Sequence, residues 1–96
     1  MKFLCVWECD PEDWDKIIEK YAVRMQSTDR ESFPQPVTNW MIVGKFKAFE
    51  VWEAESLESL TEMYLTYVPE IKNWEINPVI ETGKFIELRA QRLFHS

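Results

Sequence analysis

Two strand-like stretches, residues 37–43 and 46–53, are separated only by Gly44-Lys45. A connection this short leaves room for one arrangement, an antiparallel hairpin with glycine first in a two-residue turn. Such a turn pairs Val43 with Phe46, and the pairing fixes the faces. Asn39, Met41, Val43, Ala48, Glu50 and Trp52 then point one way, and Trp40, Ile42, Lys47, Phe49, Val51 and Glu53 the other.

The remaining elements build outward from that hairpin. Residues 2–9 are β-branched and aromatic without a breaker, and read as a first strand. Phe3, Cys5, Trp7 and Cys9 share one face of it, and Leu4, Val6 and Glu8 the other. Asp10-Pro11-Glu12-Asp13 has the form of a helix start, with Asp10 as N-cap and Pro11 in the first turn. Trp14, Ile17, Ile18, Tyr21, Ala22 and Met25 follow at helical spacing, giving a helix of about 16 residues, roughly 24 Å long. Residues 26–36 are polar, end in two prolines and form the one long loop, whose Phe33 is a candidate for folding over the cleft between helices and sheet. Ser56 caps a second helix whose inner stripe is Leu57, Leu60, Tyr64, Tyr67 and Val68, stopped by Pro69. A last strand covers residues 73–80, and Thr82 caps a short terminal helix carrying Phe85, Ile86 and Leu88.

The order is β-α-β-β-α-β. Two strand–helix pairs around a hairpin favour the split β-α-β topology with right-handed crossovers. The expected fold is α+β and ferredoxin-like, a four-stranded antiparallel sheet in one domain over residues 1–96. Helices cover one sheet face. Both faces carry large apolar side chains, so a monomer would leave one of them wet. A second copy of the chain is the economical cover, so a homodimer is the expected assembly.

Composition narrows the function classes. Apolar residues make up 46% of the chain, which excludes a disordered segment. The net charge of −6 leaves no basic footprint for nucleic acid and opposes binding to anionic membranes. No apolar run is long enough for a membrane span, and Glu8 and Asp10 interrupt the N-terminal one, which reads as a strand rather than a signal peptide. Cys5 and Cys9, on one face of a straight strand, would be roughly 13 Å apart. A disulfide needs about 7 Å or less between Cα atoms. Free thiols fit a cytoplasmic protein. The only histidine, His95, has no accompanying ligand cluster, so neither metal nor cofactor is expected.

The segment Phe49-Glu50-Val51-Trp52-Glu53-Ala54-Glu55-Ser56-Leu57-Glu58-Ser59-Leu60 resembles the strand–turn–helix signature of the dimeric α/β-barrel superfamily. That group includes antibiotic-biosynthesis and haem-degrading monooxygenases, isomerases and uncharacterised proteins. Within it, Trp40, Gly44, Phe49 with Glu53, Ser56-Leu57-Glu58 and Ile76-Asn77-Pro78-Val79 are similar to the pattern of a small domain-of-unknown-function family. The resemblance spans roughly residues 2–82, apart from the loop at 26–36. It implies two protomers with their sheets pressed together and a pocket between sheet and helices. The haem-degrading relatives use a strand Asn, a Trp and a helix His. The Trp matches Trp52, but the Asn position falls on Trp7 and the His position near Glu62, so haem would lack its axial ligand. The match at Trp52 implies that Trp7, Cys5, Asn39, Met41 and Glu50 face the helices, and that Leu4, Val6, Trp40, Ile42, Phe49 and Val51 form the dimer face.

Glu50 is the candidate catalytic residue. A carboxyl beneath helices either finds a hydrogen-bond donor or surrenders its charge, and the second outcome suits a general acid or base. The structural alternative is a hydrogen bond from Tyr21, Tyr64 or Tyr67. The candidate ligand pocket comprises Trp7, Asn39, Met41, Glu50, Trp52, Tyr21 and Tyr64, and the same aromatics could equally be plain core. Cys5 and Cys9 have no cationic neighbour to make a thiolate, and the serines have no histidine to activate them. Two classes stay open. One is a small-molecule pocket, in a binder or in a cofactor-independent monooxygenase or isomerase. The other is a structural homodimer with a filled core. An empty space beside Trp7, Glu50 and Trp52 favours the first.

Overall fold

The computed structural model describes residues 1–27 and 34–95. Phe33, a candidate for folding over the cleft, lies outside the described residues. The elements run β1 (Lys2–Cys9), a 3-10 turn (Pro11–Asp13), α1 (Trp14–Ser27), β2 (Gln35–Ile42), β3 (Lys47–Glu53), α2 (Leu57–Leu65), β4 (Ile71–Val79) and α3 (Thr82–His95). All strand pairings are antiparallel, in the spatial order β2-β3-β1-β4. This is the ferredoxin-like arrangement, α+β with a C-terminal helix.

The hairpin keeps its expected register by a different turn. Ile42 pairs with Lys47, and Val43–Phe46 form a four-residue loop in place of a two-residue one. Lys45 N–H donates to Ile42 O (3.2 Å), and Gly44 at φ +86° takes the left-handed backbone that favours glycine. Phe46 is also left-handed, at φ +49°, which prevents it from pairing with Val43. Its carbonyl instead accepts from Cys9 N–H (3.1 Å).

β1 alternates as expected, with Phe3, Cys5, Trp7 and Cys9 buried. β4 starts earlier than its sequence suggests and carries an irregularity opposite Trp7. Asn73, left-handed at φ +50°, is the extra residue. The bulge changes which face each side chain occupies. Ile71 and Trp74 therefore both reach the core, although simple alternation would separate them.

α2 is capped by Ser56, whose Oγ accepts from Ser59 N–H (3.1 Å). Leu60, Met63, Tyr64 and Tyr67 are buried. Leu57 and Val68, expected on the inner stripe, are exposed. The helix gives way to turns after Leu65, so position 68 has left the helical face. Asp10 does not cap α1 with its side chain; its carboxylate pairs with Lys72 (2.6 Å) instead.

α1 touches the sheet sparingly. Ile17 is buried, while Ile18, Tyr21 and Ala22 of its expected inner stripe are exposed. Trp14 stacks on Trp7 (6.4 Å between centroids) and meets Phe46 edge-on (6.0 Å). Lys20 reaches across to Glu70 (2.6 Å) and so ties α1 to the segment after α2. Held along one side only, α1 stands off the sheet and leaves a cleft beneath it.

α3 is 14 residues long, not a short terminal turn, and begins at Thr82 itself. From Lys84 to Leu93 nothing breaks a helix. No helix among the described residues is long and apolar enough to cross a membrane.

Candidate functional site

The cleft between α1, α2 and the sheet encloses a cavity of about 440 Å³. That lies within the usual range for small-molecule sites, about 300–1,000 Å³. The sheet supplies Trp7, Asn39, Glu50 and Trp52 to its floor. α1 supplies Trp14, Ile17, Ile18, Tyr21, Arg24 and Met25 to the roof. Met63, Tyr64 and Tyr67 close one side with Ile71, and Pro34, Gln35 and Pro36 border the other. The wall is apolar and dominated by indole and phenol rings.

Glu50 is the polar centre of the floor. It lies between Cys5 on β1 and Asn39 on β2, where both strands flank β3. Its Oε1 accepts from Tyr64 Oη (2.5 Å), Trp7 Nε1 (2.8 Å) and Trp52 Nε1 (3.4 Å). Indole N–H groups can only donate, so this oxygen is held as an acceptor. Asn39, its amide assigned so that nitrogen faces acceptors, donates to Glu50 Oε2 (3.0 Å) and to Thr38 O (3.2 Å). One carboxylate thus satisfies two buried indoles and a buried phenol, which would otherwise be costly to bury. No buried side-chain nitrogen or oxygen lacks a partner among the described residues.

The aromatic rings brace one another around this centre. Tyr64 stacks on Trp74 (6.0 Å) and meets Trp52 edge-on (6.5 Å). The Arg24 guanidinium lies 5.5 Å from the Trp52 ring centroid, a cation–π contact on the roof side. Burial pushes the Tyr64 hydroxyl well above its ordinary range, and the adjacent Glu50 charge and hydrogen bond push the same way. Tyr64 is therefore a neutral donor, not a phenolate. Burial likewise raises Cys5 from 9.0 to about 11, the Tyr64 hydrogen bond lowers it in part, and the Glu50 charge adds to the rise. Cys9 is raised by burial and by Asp13 and Asp10. Both thiols are free and buried.

Of the candidate pocket residues, Trp7, Asn39, Glu50, Trp52, Tyr21 and Tyr64 meet at the cavity. Met41 does not: it sits two residues further along the edge strand, beyond the cleft, and is exposed. Trp14 and Met63 join the lining without a sequence pattern that marks them for it, Arg24 joins it as well, and Tyr67, whose hydroxyl the sequence offers to a ligand, lines it too. For Arg24 a signal existed. It lies seven residues after Ile17 and three after Tyr21, and so shares their helical face.

The outer sheet face carries the candidate interface residues. Leu4, Val6, Ile42, Phe49 and Val51 are half-buried there, and Trp40 is 71% exposed. Lys47 Nζ lies 5.8 Å from the Phe49 ring.

Fold and cleft together define an α+β protein of ferredoxin-like arrangement with an aromatic-walled cavity around one carboxylate. The chain belongs to the family described as Domain of unknown function (DUF3303), whose model matches residues 1–93. No curated protein matches it.

Proposed function

We propose that this protein binds a small, largely apolar or aromatic molecule between α1 and the sheet, and does so as a homodimer. The cavity of about 440 Å³ carries the reading. A purely structural domain gains by closing such a space, because every void forfeits packing energy. Here Trp7 and Tyr64, which line it, are tied to Glu50 by hydrogen bonds, and the space beside them stays open.

The homodimer rests on the outer sheet face. Trp40 at 71% exposure, beside Leu4, Val6, Ile42, Phe49 and Val51, is an apolar surface of the kind that oligomers bury. α3 adds a second strip, with Ile86, Ala90, Leu93 and Phe94 at helical spacing and three of the four strongly exposed. Two sheets packed face to face give the arrangement of the dimeric α/β-barrel superfamily.

Binding is favoured over catalysis as the minimal function. Glu50 already accepts from four donors, which suits holding a ligand and bracing the floor at once. Native mass spectrometry of freshly purified protein tests both parts. The expected spectrum shows a dimer with a retained small molecule. A monomer at micromolar concentration removes the dimer, and failure of every aromatic probe to bind removes the pocket.

A further inference from the structure

The polar groups of the cleft are unequally committed, and that inequality specifies a ligand. Glu50 Oε1 takes three donors, Tyr64, Trp7 and Trp52, on one oxygen. Glu50 Oε2 takes one, from Asn39. An ionised carboxylate offers about four acceptor sites over its two oxygens. Three donors crowd Oε1, so the site still open among the described residues is on Oε2, and Glu50 lines the cavity. Asn39 Nδ2 is spent on Glu50 and on the Thr38 carbonyl, so the donors on this part of the floor are all used. Around it the walls are lined by Trp7, Trp14, Trp52 and Tyr64.

We infer that the pocket selects a flat aromatic molecule carrying a hydrogen-bond donor, a phenolic O–H or a ring N–H, that binds Glu50 Oε2. An aromatic bearing only acceptors would face a carboxylate oxygen with nothing to offer it. The same ring with an O–H would fill the second acceptor site of Glu50 Oε2. A hydrogen bond to a charged group in a water-poor site is among the stronger kinds. This inference rests on the binding reading above and adds the chemistry of the ligand.

The test uses a naphthol and its methyl ether, which differ by the donor hydrogen while keeping the same rings. Isothermal titration of each into the full-length protein should show the naphthol binding about tenfold more tightly or better. In Glu50→Gln the open site becomes an amide N–H when the amide carbonyl stays on the Trp7, Trp52 and Tyr64 donors. The preference should then fall to within about threefold. Equal affinity of the two probes for the wild type overturns the donor requirement and leaves the pocket standing. Binding of neither, up to their solubility, overturns the pocket and this inference together. The wild-type pair decides the matter even if the Gln variant does not fold. Asn39→Ala on the exposed edge strand serves as the second variant: it frees another acceptor site on Oε2 and should keep or widen the preference, whereas its loss counts against the assignment.

Discussion

Tyr64 on α2 donates to Glu50 on β3 across 2.5 Å, joining the helix layer to the sheet through the one carboxylate on the cavity floor. The same oxygen receives Trp7 and Trp52, so a single side chain sets the position of three rings.

Removing that carboxylate should be expensive. Glu50→Ala strands two buried indole N–H groups and a buried hydroxyl. We expect a loss of about 3 kcal/mol in chemical denaturation. Glu50→Gln keeps an acceptor but loses the charge, and should cost about 1–2 kcal/mol. A Glu50→Ala variant as stable as the wild type would show that the three hydrogen bonds do not brace the floor.

Trp40→Glu tests the dimer. The substitution places a charge in an apolar interface with no partner. Sedimentation velocity should show the wild type as a dimer at micromolar concentration and the variant as a folded monomer. A dimeric variant would move the interface away from this sheet face.

The thiols give a pH dependence with a definite sign. Cys5 is raised from 9.0 to about 11 in the folded chain, first by burial. The folded state therefore holds this proton more tightly than the unfolded state. The associated stability is fully present below pH 9.0 and is lost as pH rises toward about 11. Cys9, Tyr64 and Tyr67 are raised as well and act in the same direction. Melting temperature should fall over this window, and less steeply in Cys5→Ala. Both thiols should resist a water-soluble disulfide reagent at pH 8 until the chain is unfolded. Rapid stoichiometric labelling of the native protein would contradict their burial.

Haem should not bind as it does in the haem-degrading monooxygenases. The resemblance would put the ligating histidine near Glu62, and α2 carries no histidine. Hemin titration should produce no sharp Soret shift at defined stoichiometry. A clean one-to-one complex with turnover under reductant would refute this.

Much of the fold was legible because it depends on local signals. The Ser56 cap, the Pro11 helix start and the glycine in the hairpin each act within a few residues. Parity along β1 and β3 grouped Cys5 with Trp7 and Glu50 with Trp52, since side chains on a strand alternate unless a bulge intervenes, and the resemblance at Trp52 implied that this face meets the helices. Where one intervenes, parity fails. Asparagine tolerates the left-handed region without requiring it, so the sequence does not show the bulge at Asn73 that brings both Trp74 and Ile71 to the core. α1 was misjudged for another reason. Helical spacing shows which residues can face the sheet, but not how closely the helix approaches it. Ile18 and Tyr21 sit on the expected stripe and remain exposed.

The order of elements and the sharing of faces along the central strands are written in the chain's local patterns. Those follow from dihedral preferences, capping and period, which act over short stretches of chain. Only the tertiary structure decided that α1 stands off the sheet, that a cavity of about 440 Å³ lies beneath it, and that Trp7, Trp52 and Tyr64 all converge on one oxygen of Glu50. These are distances between residues remote in the chain, set by the balance of side-chain volumes across the core, and no local pattern encodes them.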